Sequence, residues 1–161
     1  MKIGVLSDTH STLPPQVFDF FKDVDEIWHA GDIGYGVLEP LQEFKPVRAV
    51  WGNMDDSSLR FALDERLLFT CGGLRVLLTH IGGYPGHYPK DIASALRLAK
   101  PDIFVCGHSH ILRVIYDKDY NLLHINPGAA GRQGFHRVST LVRFTIDGTP
   151  KDMEILEFEK R

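Results

Sequence analysis

Cysteine is scarce in this chain of 161 residues: there are two, Cys71 and Cys106, far apart and in no CxxC spacing. No disulfide framework is expected, and Cys106, at the end of an apolar run, is expected to be a buried reduced thiol. A basic surplus is also lacking. Lys and Arg number 18 against 21 Asp and Glu, a net charge of -3, which leaves no electrostatic basis for bulk binding to a nucleic-acid backbone. No apolar stretch reaches the ~18 residues of a membrane-spanning helix. The first residues run into a strand pattern without a basic and then apolar leader. The cytoplasm is therefore the expected location, with no membrane partner. Neither a Walker A motif nor a G-x-G-x-x-G fingerprint occurs, so nucleotide cradling is disfavoured. No repeat, linker or low-complexity segment interrupts the chain.

What is present describes a globular protein. With 43% hydrophobic and 24% charged residues, the chain suits a single domain over 1–161, large enough to build a core without disulfide or metal staples. Short apolar runs alternate with helical patterns. Ile3 to Leu6, Glu26 to Ala30, Arg48 to Trp51 and Ile103 to Cys106 read as strands, of the kind buried in a sheet covered on both faces. Leu67 to Thr70 with Leu74 to Thr79, and Leu112 to Tyr116 with Leu122 to Ile125, read as hairpins. Thr140 to Ile146 and Met153 to Phe158 read as the last strands. Helices are expected after Pro14-Pro15, over about ten residues, then over Val37 to Phe44 and over Lys90 to Lys100. Asp56 to Glu65 suggests no more than a short helical turn.

Five of the apolar runs end in residues able to bind a metal: Asp8 with His10, Asp32, Asn53, His80, and His108 with His110. On extended chain Asp8 and His10 would point the same way. Strands sharing a direction deliver their C-terminal ends to one crevice, where ligands bind. Seven oxygen and nitrogen donors exceed what one tetrahedral ion uses, so two ions are expected, about 3.5–4 Å apart with a bridging carboxylate and water. Donors without thiolate suit Mn, Fe, Zn, Co or Ni, and the sequence does not choose among them. Two such ions against Asp8 and Asp32 leave the centre about +2 and attractive to phosphate.

In this order, D-T-H at Asp8 to His10, G-D at Gly31-Asp32, G-N at Gly52-Asn53, T-H at Thr79-His80, G-H-S-H at Gly107 to His110 and N-P-G at Asn126 to Gly128 resemble the calcineurin-like metallophosphoesterases, in particular their small bacterial and archaeal phosphodiesterase branch. The resemblance spans nearly the whole chain. It implies an α/β fold, a four-layer sandwich of two mixed β-sheets flanked by helices. It implies that Asp8, His10 and His110 hold one metal, that Asn53, His80 and His108 hold the other, and that Asp32 bridges; Asp32, Asn53 and His80 carry the catalytic assignment. The implied reaction is hydrolysis of a small phosphoester, a diester, by a metal-bridging hydroxide attacking in line. A homodimer or larger assembly is also implied.

One position departs from the family. Many members have His directly after the ligand Asn; this chain has Met54, and a thioether donates no proton. The general acid is therefore unassigned, and aryl diesters are expected to be better substrates than alkyl ones. Arg132 is a candidate for binding substrate phosphate through its guanidinium fork. His29 and Asn126 are candidates for bracing the site from behind the ligands. His87, His124 and His136 lack motif support and are expected at the surface or in packing. The competing possibilities are a non-catalytic protein-binding scaffold on the same fold, as in the small subunit of the retromer coat, and a single-zinc hydrolase.

Overall fold

The computed structural model describes residues 1–160. Two five-stranded sheets form it. The first runs β10-β9-β1-β2-β3 and the second β4-β5-β6-β8-β7, with β1 at Lys2–Leu6, β2 at Glu26–His29, β3 at Val47–Ala49, β4 at Arg66–Cys71, β5 at Leu74–Thr79, β6 at Ile103–Val105, β7 at Leu112–Asp117, β8 at Leu122–Pro127, β9 at Val138–Ile146 and β10 at Pro150–Glu159. Both sheets are mixed. β1, β2 and β3 are mutually parallel, as are β5, β6 and β8, while β9, β10, β4 and β7 add antiparallel edges.

The alternation of side chains along each strand stacks these sheets into four layers. Ile3, Val5, Trp28 and Ala30 from the first sheet pack against Val76, Leu78, Ile103, Val105 and Ile125 from the second. Leu6 and Ile27 face the other way, onto Val17 and Phe21 beside α1 (Gln16–Phe20) and Leu38 and Leu41 of α2 (Leu38–Phe44). Leu77, Phe104 and Cys106 face outward from the second sheet onto Ile92 and Leu96 of the helix at Lys90–Ala99. Trp28 ties the two sheets together, meeting the ring edges of Phe69 on β4 and Phe144 on β9.

Sequence and structure part at three places. α1 has five residues, not about ten, because the Asp25 N–H bonds the Lys2 carbonyl and draws the chain back to begin β2 beside β1. β3 stops at Ala49, and Val50 and Trp51 turn to pair with Asp64 instead. The segment after Asp55 is a true helix, α3 at Ser57–Ala62, started by the Asp56 carboxylate accepting the Leu59 N–H at 3.1 Å; α4 is then Lys90–Ala99. That cap satisfies one of the donors a helix start leaves open.

His124 lies wholly inside the outer core, against Phe104 and Tyr88, with Nδ1 unpartnered. Burial, with the nearby Arg113 charge, pushes its pKa down to about 4. Between about pH 4 and 6.5 the unfolded chain therefore binds a proton that the folded chain refuses, so stability falls as pH drops through that window. Urea unfolding at pH 7 and pH 5 should show a smaller acid loss for His124→Phe than for the wild type.

Candidate metal centre

Because β1, β2, β3, β5, β6 and β8 all run the same way within their sheets, their C-terminal ends meet at one rim of the sandwich. All seven donors expected from the sequence stand there. They fall into two groups whose ligand atoms lie within 4.8 Å of one another, Asp8 with His10 and His110, and Asp32 with His80 and His108. Asn53 Oδ1 is 3.1 Å from His108 Nδ1 and so joins the second. Asp32 Oδ2 reaches both groups, at 3.1 Å from His80 Nε2 and 3.7 Å from His10 Nε2.

Asp8 and His10 do not converge by lying on extended chain. Both are left-handed, with φ of 56° and 44°, and so are Asp32 at 55°, His108 at 71° and His110 at 63°. Such backbone costs about 1–3 kcal/mol per residue other than glycine, and it folds each strand end sharply back over the rim. The neighbouring glycines follow from the same crowding. A Cβ on Gly52 would sit 2.2 Å from Asp32 Oδ1, and one on Gly107 would sit 2.1 Å from Ser7 Oγ.

The donors are oriented from behind. Asp8 Oδ2 accepts the Ser7 hydroxyl at 2.7 Å and the His108 N–H at 3.0 Å, while Asp32 Oδ1 accepts the Met54 N–H at 2.8 Å. His80 Nδ1 lies 2.7 Å from the Ala30 carbonyl; a carbonyl only accepts, so Nδ1 carries hydrogen and neutral His80 turns the lone pair of Nε2 to the site. Asn126 Nδ2 donates to the Gly107 carbonyl and Ser109 Oγ, bracing the turn that bears His108 and His110. His29 is buried, accepts the Gly31 N–H at Nδ1, and so must donate from Nε2 to Thr9 Oγ1, 3.0 Å away. Burial pushes its pKa down to about 4, keeping it neutral.

Burial raises the Asp8 carboxyl, but His10, His110, His80 and the Ser7 hydroxyl outweigh it and hold the group well below the usual carboxylate range. For Asp32, burial is likewise outweighed, chiefly by His80. His80 moves the opposite way: burial lowers it, and Asp32 and Asp8 more than reverse this. Without a cation, a proton shared with these carboxylates is the competing occupant.

The donor set fits divalent cations. Ligand bonds of about 2.0–2.2 Å put donors on one ion about 3–3.5 Å apart, and His110 Nε2 to Asp8 Oδ1 is 3.2 Å, His80 Nε2 to Asp32 Oδ2 is 3.1 Å. Asp8 Oδ1, His10 Nε2 and His80 Nε2 are buried with no hydrogen-bond partner.

Residues 1–149 match the calcineurin-like phosphoesterase superfamily domain. The chain belongs to that superfamily. A probable metallophosphoesterase of Methanothermobacter thermautotrophicus is 34% identical over 97% of this chain and 92% of its own. Among solved calcineurin-like folds, an archaeal phosphodiesterase superposes with a TM-score of 0.78 at 22% identity, covering 98% of this chain and all of its own. Vps29 of Chaetomium thermophilum superposes at 0.76 with 17% identity over the full length of both. For this phosphoesterase-family chain, two sheets flanked by helices are thus the family fold.

Arg132 is exposed and lines a cleft with Thr12, Leu13 and Phe158. His87 stacks on Tyr84 and His124 is in the core. His136, expected at the surface or in packing, stands 5.2 Å from the His110 ring and bonds the Gly131 carbonyl.

Two contributors escaped the sequence altogether. Asp55 accepts N–H groups from Ile33, Gly34 and Gly52, locking the Asp32 turn to the Asn53 turn. Arg60, from the segment without a clear pattern, donates to the Asn53 carbonyl while lying 4.4 Å over the Trp51 ring. The available signal for Asp55 was an acid two residues past a turn ligand, where it reaches backbone donors. Asp55→Ala, which strands those donors, should weaken divalent-ion affinity about 10–100-fold in competition with a chelator, with the far-ultraviolet dichroism of the wild type.

Proposed function

We propose that the chain is a dinuclear metal-dependent phosphodiesterase acting on a small phosphoester. The observation that carries this is the convergence of three buried atoms without a hydrogen-bond partner: Asp8 Oδ1 lies 3.6 Å from His10 Nε2 and 3.9 Å from His80 Nε2. Leaving each without a partner costs about 1–3 kcal/mol; a cation removes that cost. Asp8, His10 and His110 would hold one ion and Asn53, His80 and His108 the other, with Asp32 between them and manganese the first choice of metal. When bound, the pair lowers the pKa of water toward neutrality and neutralises charge growing on a phosphoryl group.

The chain's own contribution is orientation. The Ala30 carbonyl aims His80, the Ser7 hydroxyl and His108 N–H turn Asp8 so that Oδ1 faces inward, and the Met54 N–H does the same for Asp32. Nothing at position 54 protonates the departing oxygen, because the Met54 thioether carries no hydrogen to give. Leaving groups that depart as stable anions therefore suit this site. The alternative, a protein-binding scaffold sharing the fold, gains nothing from orphaned donors, and this favours the hydrolase.

Protein stripped with a chelator and reloaded with Mn, Ni, Zn or Mg should take up two ions per chain and cleave aryl phosphodiesters faster than alkyl ones. Asp32→Ala should lose at least about 100-fold at saturating metal. Uptake of a single ion, or equal rates on aryl and alkyl esters, would contradict the dinuclear and leaving-group parts respectively.

A further inference from the structure

The seven donors leave unexplained a patch of apolar surface at the mouth of the site. Tyr35 and Met54 are 74% and 62% exposed, large side chains standing in water beside the most polar part of the molecule. With Leu59 and Gln133 they wall a cleft of about 170 Å³ that His10 also lines. His10 belongs to the donor set, and Met54 follows Asn53 and donates its N–H to Asp32. The cleft therefore opens onto the space a phosphoryl group would fill.

Charge decides what else can enter. The ionisable groups besides His10 and Tyr35 that line the cleft are the carboxylates Asp55 and Asp56, and no Lys or Arg is among the described residues there. Asp55 is occupied by three backbone N–H groups, and Asp56 accepts the Leu59 N–H and the Tyr35 hydroxyl. Both repel a second phosphate. A polarizable thioether beside an aromatic ring instead favours a flat, uncharged ring, with the Gln133 amide able to donate or accept at its edge.

We infer that this cleft takes an uncharged aromatic arm of the substrate, and that Met54 and Tyr35 select for it; the inference rests on the phosphodiester function proposed above. Leaving-group chemistry and ring binding are separable, since a phosphonate has a P–C bond that does not hydrolyse. Phenylphosphonate, methylphosphonate and inorganic phosphate are titrated calorimetrically into the metal-loaded protein. The phenyl compound should bind about five- to tenfold tighter than the methyl one. Met54→Gln, similar in length but polar, should bring that ratio toward one, Met54→Leu should keep most of it, and Tyr35→Ser should lower it. Inorganic phosphate should bind all four proteins within about twofold. A ratio near one in the wild type, or one unchanged by Met54→Gln while phosphate still binds, overturns the aromatic cleft and leaves the hydrolase standing. Failure of phosphate and both phosphonates to bind the loaded protein overturns both.

Discussion

Asp8 is the group to which the rest of the rim answers. It is a fully buried carboxylate with one oxygen held by Ser7 and His108 and the other bare. A buried anion is tolerated only when positive charge or hydrogen-bond donors surround it. Here those partners arrive from different layers: His10 follows β1, whereas His80, His108 and His110 follow β5 and β6 of the opposite sheet. The contact of Asp8 with the His108 N–H, that of His80 with the Ala30 carbonyl, and that of Asn53 with His108 all cross from one sheet to the other. The same bonds that orient the donors therefore close the open end of the sandwich.

The core beneath supplies the rigidity this arrangement demands. Strands whose inner faces are Ile3, Val5, Val76, Leu78, Ile103 and Val105 cannot slip by one residue without turning that apolar set outward. Fixed register fixes where each strand ends, and hence where each left-handed turn begins. Five non-glycine donors at positive φ are sustained because packing on one side and hydrogen bonds from Asp55, His29, Asn126 and Arg60 on the other leave those turns no easier conformation.

Much of this was legible in the sequence. Apolar runs ended by Asp, His or Asn announced the strands and the rim, and the order of the short motifs announced the family and its layered fold. What could not be read was anything held by contacts distant along the chain. The left-handed backbone at Asp8 and His10 is invisible to periodicity, because on extended chain the same two side chains would also share a face. α1 was overestimated because its apolar spacing continues past the point where β1 pulls the chain away. Asp55 and Arg60 lie in a stretch with little pattern, and their roles exist only once the Asp32 and Asn53 turns are adjacent. His136 joins His110 through the fold of the 132–137 loop, which carries no apolar period.

The left-handed turns and the bare buried oxygen and nitrogen atoms mean that the rim is built at a cost, which the packed core beneath it offsets. Replacing one imidazole would leave the Asp8 carboxylate short of a partner inside the sandwich, so the donors of this rim can be exchanged only together.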